Sequence, residues 1–496
     1  MKQAGLSGSF SLWQAGQRMA PWRAYRKLVG PVHPVLRPVL HFATALLALL
    51  GLGRFLGKAG DLLASPYSRD YGEGCVLAMV QLLAERGSYF LPMRDYPQVH
   101  ANYPPVFVAL NWPLYELLGP SLAVPRSLSL LATAGLLAGL FLLLDRLGTG
   151  RLPAALLALG FLAPWFVQTW AGLGRVDMLA CLFSVLGLLA WERDRDRPGW
   201  GRYRALPFFW LAFFTKQNAL LAPTAVLLDL LLEDRRRFLR ALFAFLVPLL
   251  LLFGLLVAVT GGEAWRHLVV YTAAADYEWG RMAESYRELA LVAWPAALLL
   301  LAARPRLDGP RRPIFIYWLL NLAALATIAK AGAAQNYFVE PWLATLLLAG
   351  AALGALPARW PAPAGAGAVL AIVAMASLAR PEADRLPQAI RRPDRARDFV
   401  ALTEAVRGTA GPILSENLSV LVVNRRRVLV EPFGLLQLTR HGLLRPDRVV
   451  RDCERGFFSL VVTEHRLREV PGLAACLDRR YYAWQDLGPY QVFRPR

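Results

Sequence analysis

The chain has 496 residues, is 56% hydrophobic and has a mean hydropathy of +0.38. These values exclude an ordinary soluble domain and indicate a polytopic membrane protein. A formal net charge of +20 also suits a nucleic-acid-binding protein, but the arginines form short clusters between apolar segments. That distribution is typical of the positive-inside bias, so we expect membrane lipid and no nucleic acid as a partner.

The first 37 residues are basic and contain no acidic residue. They lack the layout of a signal peptide. Residues 1–37 are therefore interpreted as a cytosolic leader in front of an uncleaved first span.

Eleven apolar segments are candidate membrane spans, because a span needs about 20 apolar residues. They are 38–57, 121–144, 153–169, 177–191, 203–215, 218–232, 239–259, 288–303, 313–329, 338–355 and 362–379. Basic clusters fall in every second loop, which predicts a cytosolic N-terminus. The sequence thus predicts an all-α transmembrane domain over 38–379 in the inner membrane, with a large outer loop at 58–120.

Residues 380–496 have a different composition, with frequent charges and short apolar strands alternating with helical patterns. This alternation predicts a small α/β domain, and the odd number of spans places it outside the cytosol. Cys453 and Cys476 lie in this tail and can pair if it faces an oxidising compartment. The four cysteines of the chain show no metal-ligand spacing.

The outer loop carries two acidic residues, Asp70 and Glu73, in the stretch Ser68-Arg-Asp-Tyr-Gly-Glu-Gly74. Glu73 stands between two glycines at the start of an apolar-periodic run, which predicts a position near a helix N-terminus. A carboxylate there can act as a general base that takes a proton from a hydroxyl nucleophile. The alternative is a solvated loop acid without a role in chemistry.

Charged residues also stand at the outer ends of predicted spans, where each charge is costly. Arg175 and Asp177 open the fourth span, either as a structural ion pair or in a direct role. Lys216 lies between two spans that share about 30 residues, or ~45 Å of helix, which is short of two crossings of about 30 Å each. We therefore expect the Lys216 turn below the outer surface, in a cavity where the ammonium meets an anion. One long tilted helix with a snorkelling Lys216 is the alternative.

Another outer turn contains Gln335-Asn336-Tyr337, with Lys330 and Glu340 on either side. Glu340 lies inside the tenth predicted span, where a lone carboxylate needs a partner. Glu340 either forms a structural ion pair with a neighbouring Arg or Lys or contacts the substrate, and the sequence leaves both alternatives open.

The order of these motifs resembles that of the C-type (GT-C) membrane glycosyltransferases, in particular bacterial protein-mannosyltransferase-like and aminoarabinose-transferase-like enzymes. The motifs in the membrane part are the acidic first loop, Tyr103-Pro104-Pro105, Arg126, Arg175-Val-Asp177, Thr215-Lys216-Gln217 and Asn336-Tyr337-Phe338 with Glu340. In the tail, Ser415-Glu416-Asn417 and Glu431-Pro432-Phe433-Gly434 are similar to some bacterial members.

The resemblance implies transfer of a sugar from a polyprenyl-phosphate carrier to an envelope acceptor (lipid, glycan or protein) on the outer face of the membrane, with inversion at the anomeric carbon. It places the catalytic acid on Glu73, or on Asp70 as second choice. Residues expected to bind the carrier phosphate or the substrate are Lys216, Arg175, Lys330, Arg126, Asp177, Gln217, Asn336, Tyr337, Glu340 and Tyr103. No cofactor is expected, since the metal-binding set of oligosaccharyltransferases is missing from the sequence. The competing classes are a transporter or flippase of an amphipathic anion, and an O-antigen ligase or polymerase.

Overall fold

A computed structural model describes residues 33–197, 199–303, 308–356, 362–379 and 395–496. Most of the predicted leader and the beginning of the predicted tail lie outside these described residues. Up to residue 379 the described elements are helical. The helices are α1 (His33–Ala64), α2 (Tyr71–Arg86), α3 (Pro105–Leu118), α4 (Ala123–Arg146), α5 (Arg151–Gly160), α6 (Trp165–Trp170), α7 (Asp177–Asp194), α8 (Leu206–Thr215), α9 (Leu221–Glu233), α10 (Arg235–Val259), α11 (Glu263–Trp265), α12 (Gly280–Ala303), α13 (Arg311–Leu325), α14 (Val339–Leu353) and α15 (Ala362–Leu378).

Short 3-10 or π-helical segments extend or connect these helices at Gly199–Ala205, Arg266–Tyr271, Ala326–Ala329 and Gln335–Phe338. Each of the eleven predicted spans overlaps one helix or two consecutive ones. Five helices are long and apolar enough to cross a membrane, namely Val35–Ala64, Ala123–Arg146, Arg235–Val259, Gly280–Ala303 and Arg311–Ala329. The mostly helical fold is confirmed, and the number of crossings stays a prediction.

The outer region differs from the open loop expected at 58–120, because most of it is helical. Helix α1 continues to Ala64, and α2 and α3 occupy much of the rest. Asp70 starts α2 as its N-cap by accepting a hydrogen bond from the Gly72 amide at 2.9 Å, and Pro105 stands at the first position of α3. Helix α2 is buried, since it packs between α3 and the C-terminal region.

The chain also turns where the sequence predicted it, at residues 216–220 between α8 and α9. The alternative of one long helix through Lys216 is therefore excluded. Close helix packing supports this region, because a Cβ at Gly187 of α7 would overlap the ring of Phe209 in α8.

The C-terminal region is a small α/β unit, as predicted. Its elements are α16 (Arg395–Arg407), β1 (Ile413–Ser415), α17 (Leu418–Val423), α18 (Pro432–Arg440), α19 (Asp447–Glu454), β2 (Leu460–Thr463), α20 (Arg466–Glu469), α21 (Leu473–Arg480), β3 (Tyr481–Leu487) and β4 (Tyr490–Pro495). The strand order is β1-β2-β4-β3, with β1 and β2 parallel and the other pairs antiparallel. Gly488 makes the β3–β4 turn at φ 59°.

One predicted strand, at 428–430, is instead a single bridge. Val430 pairs in parallel with Gln98 of the outer region, so this stretch joins the C-terminal unit to the first outer loop. Cys453 of α19 and Cys476 of α21 form a buried disulfide.

Candidate functional site

Glu73 and Arg126 form a sealed ion pair, with both side chains 0% exposed. The guanidinium donates from Nε to Oε1 at 2.7 Å and from Nη2 to Oε2 at 2.8 Å. The amides of Arg69 and Gly174 donate to the same carboxylate at 2.8 and 3.0 Å. Burial raises the pKa of Glu73, but Arg126 and these hydrogen bonds hold it below its ordinary value.

Arg126 uses its remaining donors within the protein. They bond the main-chain carbonyls of Leu62, Ser65 and Tyr67. The pair therefore fixes the end of α1 and the start of the outer region to α4, and it leaves Arg126 no donor for a carrier phosphate.

Asp70 and Arg175 form a second pair that is partly open, with side chains 15% and 11% exposed. Oδ2 of Asp70 accepts hydrogen bonds from Nη1 of Arg175 and from the Gly72 amide. Oδ1 has no hydrogen-bond partner among the described residues. Burial raises the pKa of Asp70 above its ordinary value, against the opposing charge of Arg175.

The two glycines on either side of Glu73 have identifiable roles. A Cβ at Gly72 would overlap the Arg175 guanidinium, and one at Gly74 would lie 2.9 Å from the Ser419 amide of the C-terminal unit. The first turn of α2 can therefore approach both the Arg175 side chain and the C-terminal unit. The sequence placed Glu73 at a helix N-terminus correctly but gave no sign of these contacts.

A second polar cluster surrounds Asp177, at the start of α7. Its Oδ1 accepts from Nζ of Lys216 at 2.8 Å and from the Asn336 amide at 2.9 Å. The Lys216 ammonium lies 5.1 Å from the ring centroid of Tyr337. The structure thus brings together four residues from three distant parts of the sequence, and it gives Lys216 an anionic partner within the protein.

The segment Asn102–Pro104 connects this region to Asp70. Arg175 donates from Nη2 to the Tyr103 hydroxyl at 2.8 Å, and Gln217 donates to the Asn102 carbonyl at 3.0 Å. Pro104 lines an apolar groove. The segment therefore contacts both the Asp70–Arg175 pair, through Tyr103, and the groove, through Pro104, and we call it the partition.

The apolar groove has a volume of about 550 Å³. Its lining includes residues of α8, of α10 and of the π-helical segment Arg266–Tyr271. The lining residues are Pro104, Phe213, Gln217, Leu249, Leu250, Phe253, Leu268, Val269, Thr272, Ala273, Tyr277 and Lys330. Lys330 is its charged residue, and Nζ donates to the Thr272 carbonyl. Within the described part of the chain no carboxylate lies within 4 Å of this ammonium.

A second cavity, of about 300 Å³, opens beside Asp70. One wall is the stretch 67–71 with Gly74, and the other belongs to the C-terminal unit. We call it the outer cavity. Sequence reasoning missed it, because it exists only where two parts of the chain more than 300 residues apart meet.

Contacts beside the outer cavity hold the two walls together. The Tyr71 hydroxyl donates to Glu431, which also accepts from the amides of Phe433 and Gly434 at the start of α18. The Arg466 guanidinium lies 4.7 Å from the centroid of the Tyr71 ring. Glu431 is the N-cap of α18, and Pro432 occupies the first position of that helix. The contact of Glu431 with Tyr71 could not be predicted from the sequence, because the two residues are 360 positions apart.

Buried polar atoms without partners mark the inner side of the site. In the described part of the chain they include Arg175 Nε, Asp177 Oδ2, Asn102 Oδ1 and Gln217 Oε1. Buried polar atoms are normally hydrogen-bonded. Several unpaired polar atoms close to the partition are therefore typical of a binding site for a polar ligand. The Glu340 carboxylate accepts from the Tyr317 hydroxyl at 2.8 Å and interacts electrostatically with Lys216 and Asp177 of the polar cluster.

Three side chains of the C-terminal unit have ligand atoms within 4.8 Å of one another, the arrangement that a metal ion requires: Glu416, Glu464 and His465. Oε1 of Glu416, however, already accepts from the Thr463 hydroxyl and from the amides of His465 and Leu467. These bonds tie β1 to β2 and α20, which gives Glu416 a structural role.

The helical part and the small C-terminal sheet together have the fold of solved structures of ArnT from Cupriavidus metallidurans. The apo structure matches at a TM-score of 0.58 with 14% identity, covering 85% of this chain and 92% of ArnT. The structure bound to undecaprenyl phosphate matches at 0.60 with 14% identity, covering 90% and 97%. No family model and no curated protein matches the chain.

Proposed function

We propose that this chain is a membrane glycosyltransferase that takes a sugar from a polyprenyl-phosphate carrier and passes it to an envelope acceptor. One observation carries the proposal. The Asn102–Pro104 partition links an apolar groove that contains a cation, Lys330, to the Asp70 carboxylate, because Pro104 lines the groove and Tyr103 bonds the arginine that pairs with Asp70. The fold supports it, since ArnT has been solved with undecaprenyl phosphate bound.

The carrier occupies the groove in this proposal. Its isoprenoid chain lies against the apolar side chains of α8 and α10, where burial of apolar surface is favourable at about 25 cal/mol per Å². Lys330 pairs with the phosphate, because it lacks an anionic partner among the described residues. Arg175 Nε is the second donor for the phosphate, since it is buried and unpartnered.

Asp70 is the general base. An acceptor hydroxyl gives its proton to Oδ1 while its oxygen attacks the anomeric carbon of the donor sugar. The bond from that carbon to the phosphate oxygen breaks, and its electron pair leaves with the polyprenyl phosphate. Attack opposite the leaving group inverts the anomeric carbon, and Asp70 afterwards returns the proton to solvent.

Glu73 is unsuited to the same step. Both of its oxygens are engaged by Arg126, and the side chain is fully buried. Binding a proton there requires breaking the ion pair in a dry site, which is strongly unfavourable. The geometry thus favours the second of the two acids that the sequence left open.

The C-terminal unit lies outside the cytosol in this proposal, which keeps the division into leader 1–37, transmembrane part 38–379 and extracytoplasmic part 380–496. The Cys453–Cys476 disulfide supports it, because disulfides persist in oxidising compartments. The unit also contacts the outer stretch that carries Asp70.

The test is donor consumption by the purified chain in detergent, with undecaprenyl-phosphate-linked hexoses and amino sugars as probes. We expect release of undecaprenyl phosphate, and a decrease of about 10²–10⁴-fold in Asp70→Asn, the usual contribution of a positioned base. Asp61→Asn is the matched control, since Asp61 is exposed on α1 away from the site. A transporter would move the lipid across proteoliposomes without cleaving it, and Asp70→Asn would leave that flux intact. Absence of both undecaprenyl phosphate binding and donor cleavage refutes the proposal.

A further inference from the structure

The outer cavity has the position expected for a second substrate. Asp70 lies in its wall, and Arg175 and Tyr103 link Asp70 to the partition that lines the groove proposed for the carrier. A hydroxyl in this cavity can reach Asp70 without crossing the carrier. The question is which chemical class of acceptor the walls accommodate.

Charge is the first criterion. In a chain of net charge +20, the cavity wall has four carboxylates and two guanidiniums: Asp70, Asp398, Glu416 and Glu464 against Arg69 and Arg466. Both arginines stack on aromatic rings, Arg69 at 4.7 Å from the Tyr67 centroid and Arg466 at 4.7 Å from that of Tyr71. Glu416 lies 3.8 Å from Arg466, and Asp70 is paired with Arg175. Asp398 and Glu464 have no arginine within 4 Å among the described residues, so they are the carboxylates that repel phosphate and carboxylate groups.

Shape and hydrogen bonding are the second criterion. Tyr67 and Tyr490 line the cavity and supply aromatic surface of the kind that suits the C–H faces of a sugar ring. Asp398 and Glu464 are partly exposed acceptors for hydroxyl donors. A volume of about 300 Å³ is at the small end of ligand sites, which suits a small polar group.

From these features we infer that the outer cavity binds the acceptor and that the acceptor is an uncharged saccharide. This inference rests on the proposed function and specifies its acceptor class. The sugar hydroxyl nearest Asp70 is the nucleophile of the transfer step described above. The carboxylates at Asp398 and Glu464 exclude phosphorylated acceptors.

The experiment supplies purified wild-type protein with an undecaprenyl-phosphate-linked sugar that it cleaves. The acceptors are methyl glycosides of glucose, mannose, galactose and N-acetylglucosamine, their 6-phosphates, lipid A and a Ser/Thr-rich peptide. Products are identified by mass spectrometry. We expect transfer to at least one neutral glycoside, exceeding transfer to its 6-phosphate by about tenfold or more, a difference that a charge clash readily supplies.

The double variant Asp398→Asn, Glu464→Gln isolates the charge effect. We expect it to reduce that ratio several-fold while leaving the Kd for undecaprenyl phosphate unchanged. Glu404→Gln is the matched control, because Glu404 is exposed on the same helix as Asp398 and does not line the cavity. Its ratio is expected to equal that of the wild type.

Three results would overturn the inference. They are preferential transfer to lipid A, a 6-phosphate or the peptide; donor cleavage without modification of any glycoside; and an unchanged ratio in the double variant. In all three, donor cleavage continues and the proposed function stands. Failure of donor binding and cleavage is a different result, which removes the proposed function and the acceptor assignment together.

Discussion

Two acid–arginine pairs lie side by side in the outer region, and they differ in how completely they are satisfied. The Glu73–Arg126 pair has no exposed side-chain surface and accepts or donates hydrogen bonds at nearly every polar atom. Among the described residues, the Asp70–Arg175 pair keeps one free carboxylate oxygen and an unpartnered guanidinium Nε. Only two residues, Tyr71 and Gly72, separate the two acids in the sequence.

The difference teaches that residue type and position do not define a catalytic acid. A carboxylate whose lone pairs are all engaged stabilises the fold, and one with a lone pair facing a cavity can accept a proton. We therefore propose a structural role for the Glu73–Arg126 pair and a catalytic role for the Asp70–Arg175 pair.

The largest expected effect is on folding stability, and it distinguishes Glu73 from Asp70. Glu73→Gln leaves the buried Arg126 cation without an anion, so we expect a loss of about 3–5 kcal/mol in folding free energy. Asp70→Asn should lose less stability, because Asn retains the N-cap hydrogen bond and the Asp70–Arg175 pair is partly exposed, and its main effect should be on turnover. Thermal unfolding of both purified variants in detergent, followed by intrinsic fluorescence, measures the first effect.

Arg126→Leu provides a second test of the buried pair, and it should resemble Glu73→Gln in stability. A Glu73→Gln protein that unfolds like the wild type but does not turn over would reverse the assignment. It would return the role of base to Glu73.

The helical membrane part, the α/β tail, the Lys216 turn and the helix start beside Asp70 could all be predicted from the sequence. Each of them is determined by a local signal, such as a hydrophobic run, an alternation of strand and helix patterns, or a turn residue. The choice between Asp70 and Glu73 was beyond the sequence, because it depends on Arg126 and Arg175, which fold in from other helices. The partners of Lys216 and Tyr71 are equally non-local.

The second largest effect is on lipid affinity and concerns Lys216 and Lys330. Like the two acids, these lysines differ in how completely they are satisfied, since one has a partner of opposite charge and the other has none among the described residues. Lys216 is neutralised by Asp177, whereas Lys330 faces the groove without a carboxylate within 4 Å in the described residues. We expect Lys330→Ala to weaken undecaprenyl phosphate binding by about 10–100-fold, the worth of one charge-assisted hydrogen bond. Lys330→Arg should retain part of the affinity.

Lys216→Ala is the comparison for this measurement. It should lower stability and turnover, because it leaves the buried Asp177 unpaired, with a smaller change in lipid affinity. Titration of both variants with undecaprenyl phosphate decides between them. A greater loss of affinity in Lys216→Ala would transfer the phosphate role to that residue.

The smallest effect is a displacement of the pH profile. Burial raises the pKa of Asp70, whereas the pKa of Glu73 is held low. A base must be deprotonated, so activity should fall with decreasing pH, with its midpoint above the ordinary aspartate value of 3.8. A midpoint below 3.8 would contradict Asp70 as the base and has the direction expected for Glu73, whose pKa is held below its ordinary value of 4.5.

Stability must be measured alongside, because two buried histidines also respond to acid. Burial lowers the pKa of His100 to about 3 and that of His267 to about 4, from 6.5. Their stabilising contribution is complete above pH 6.5 and is lost as the pH falls toward those values. In its neutral form His267 accepts from the Ala101 amide at 3.0 Å, and protonation breaks that bond.

Separate sites for the two substrates beside Asn102–Pro104 have a consequence for steady-state kinetics. In the proposed direct transfer, donor and acceptor must both be bound before a bond is exchanged, so double-reciprocal plots should intersect rather than run parallel. The lipid product would compete with the donor and give mixed or noncompetitive inhibition against the acceptor. The acceptor could also bind before the donor or after it, since neither substrate obstructs the path of the other.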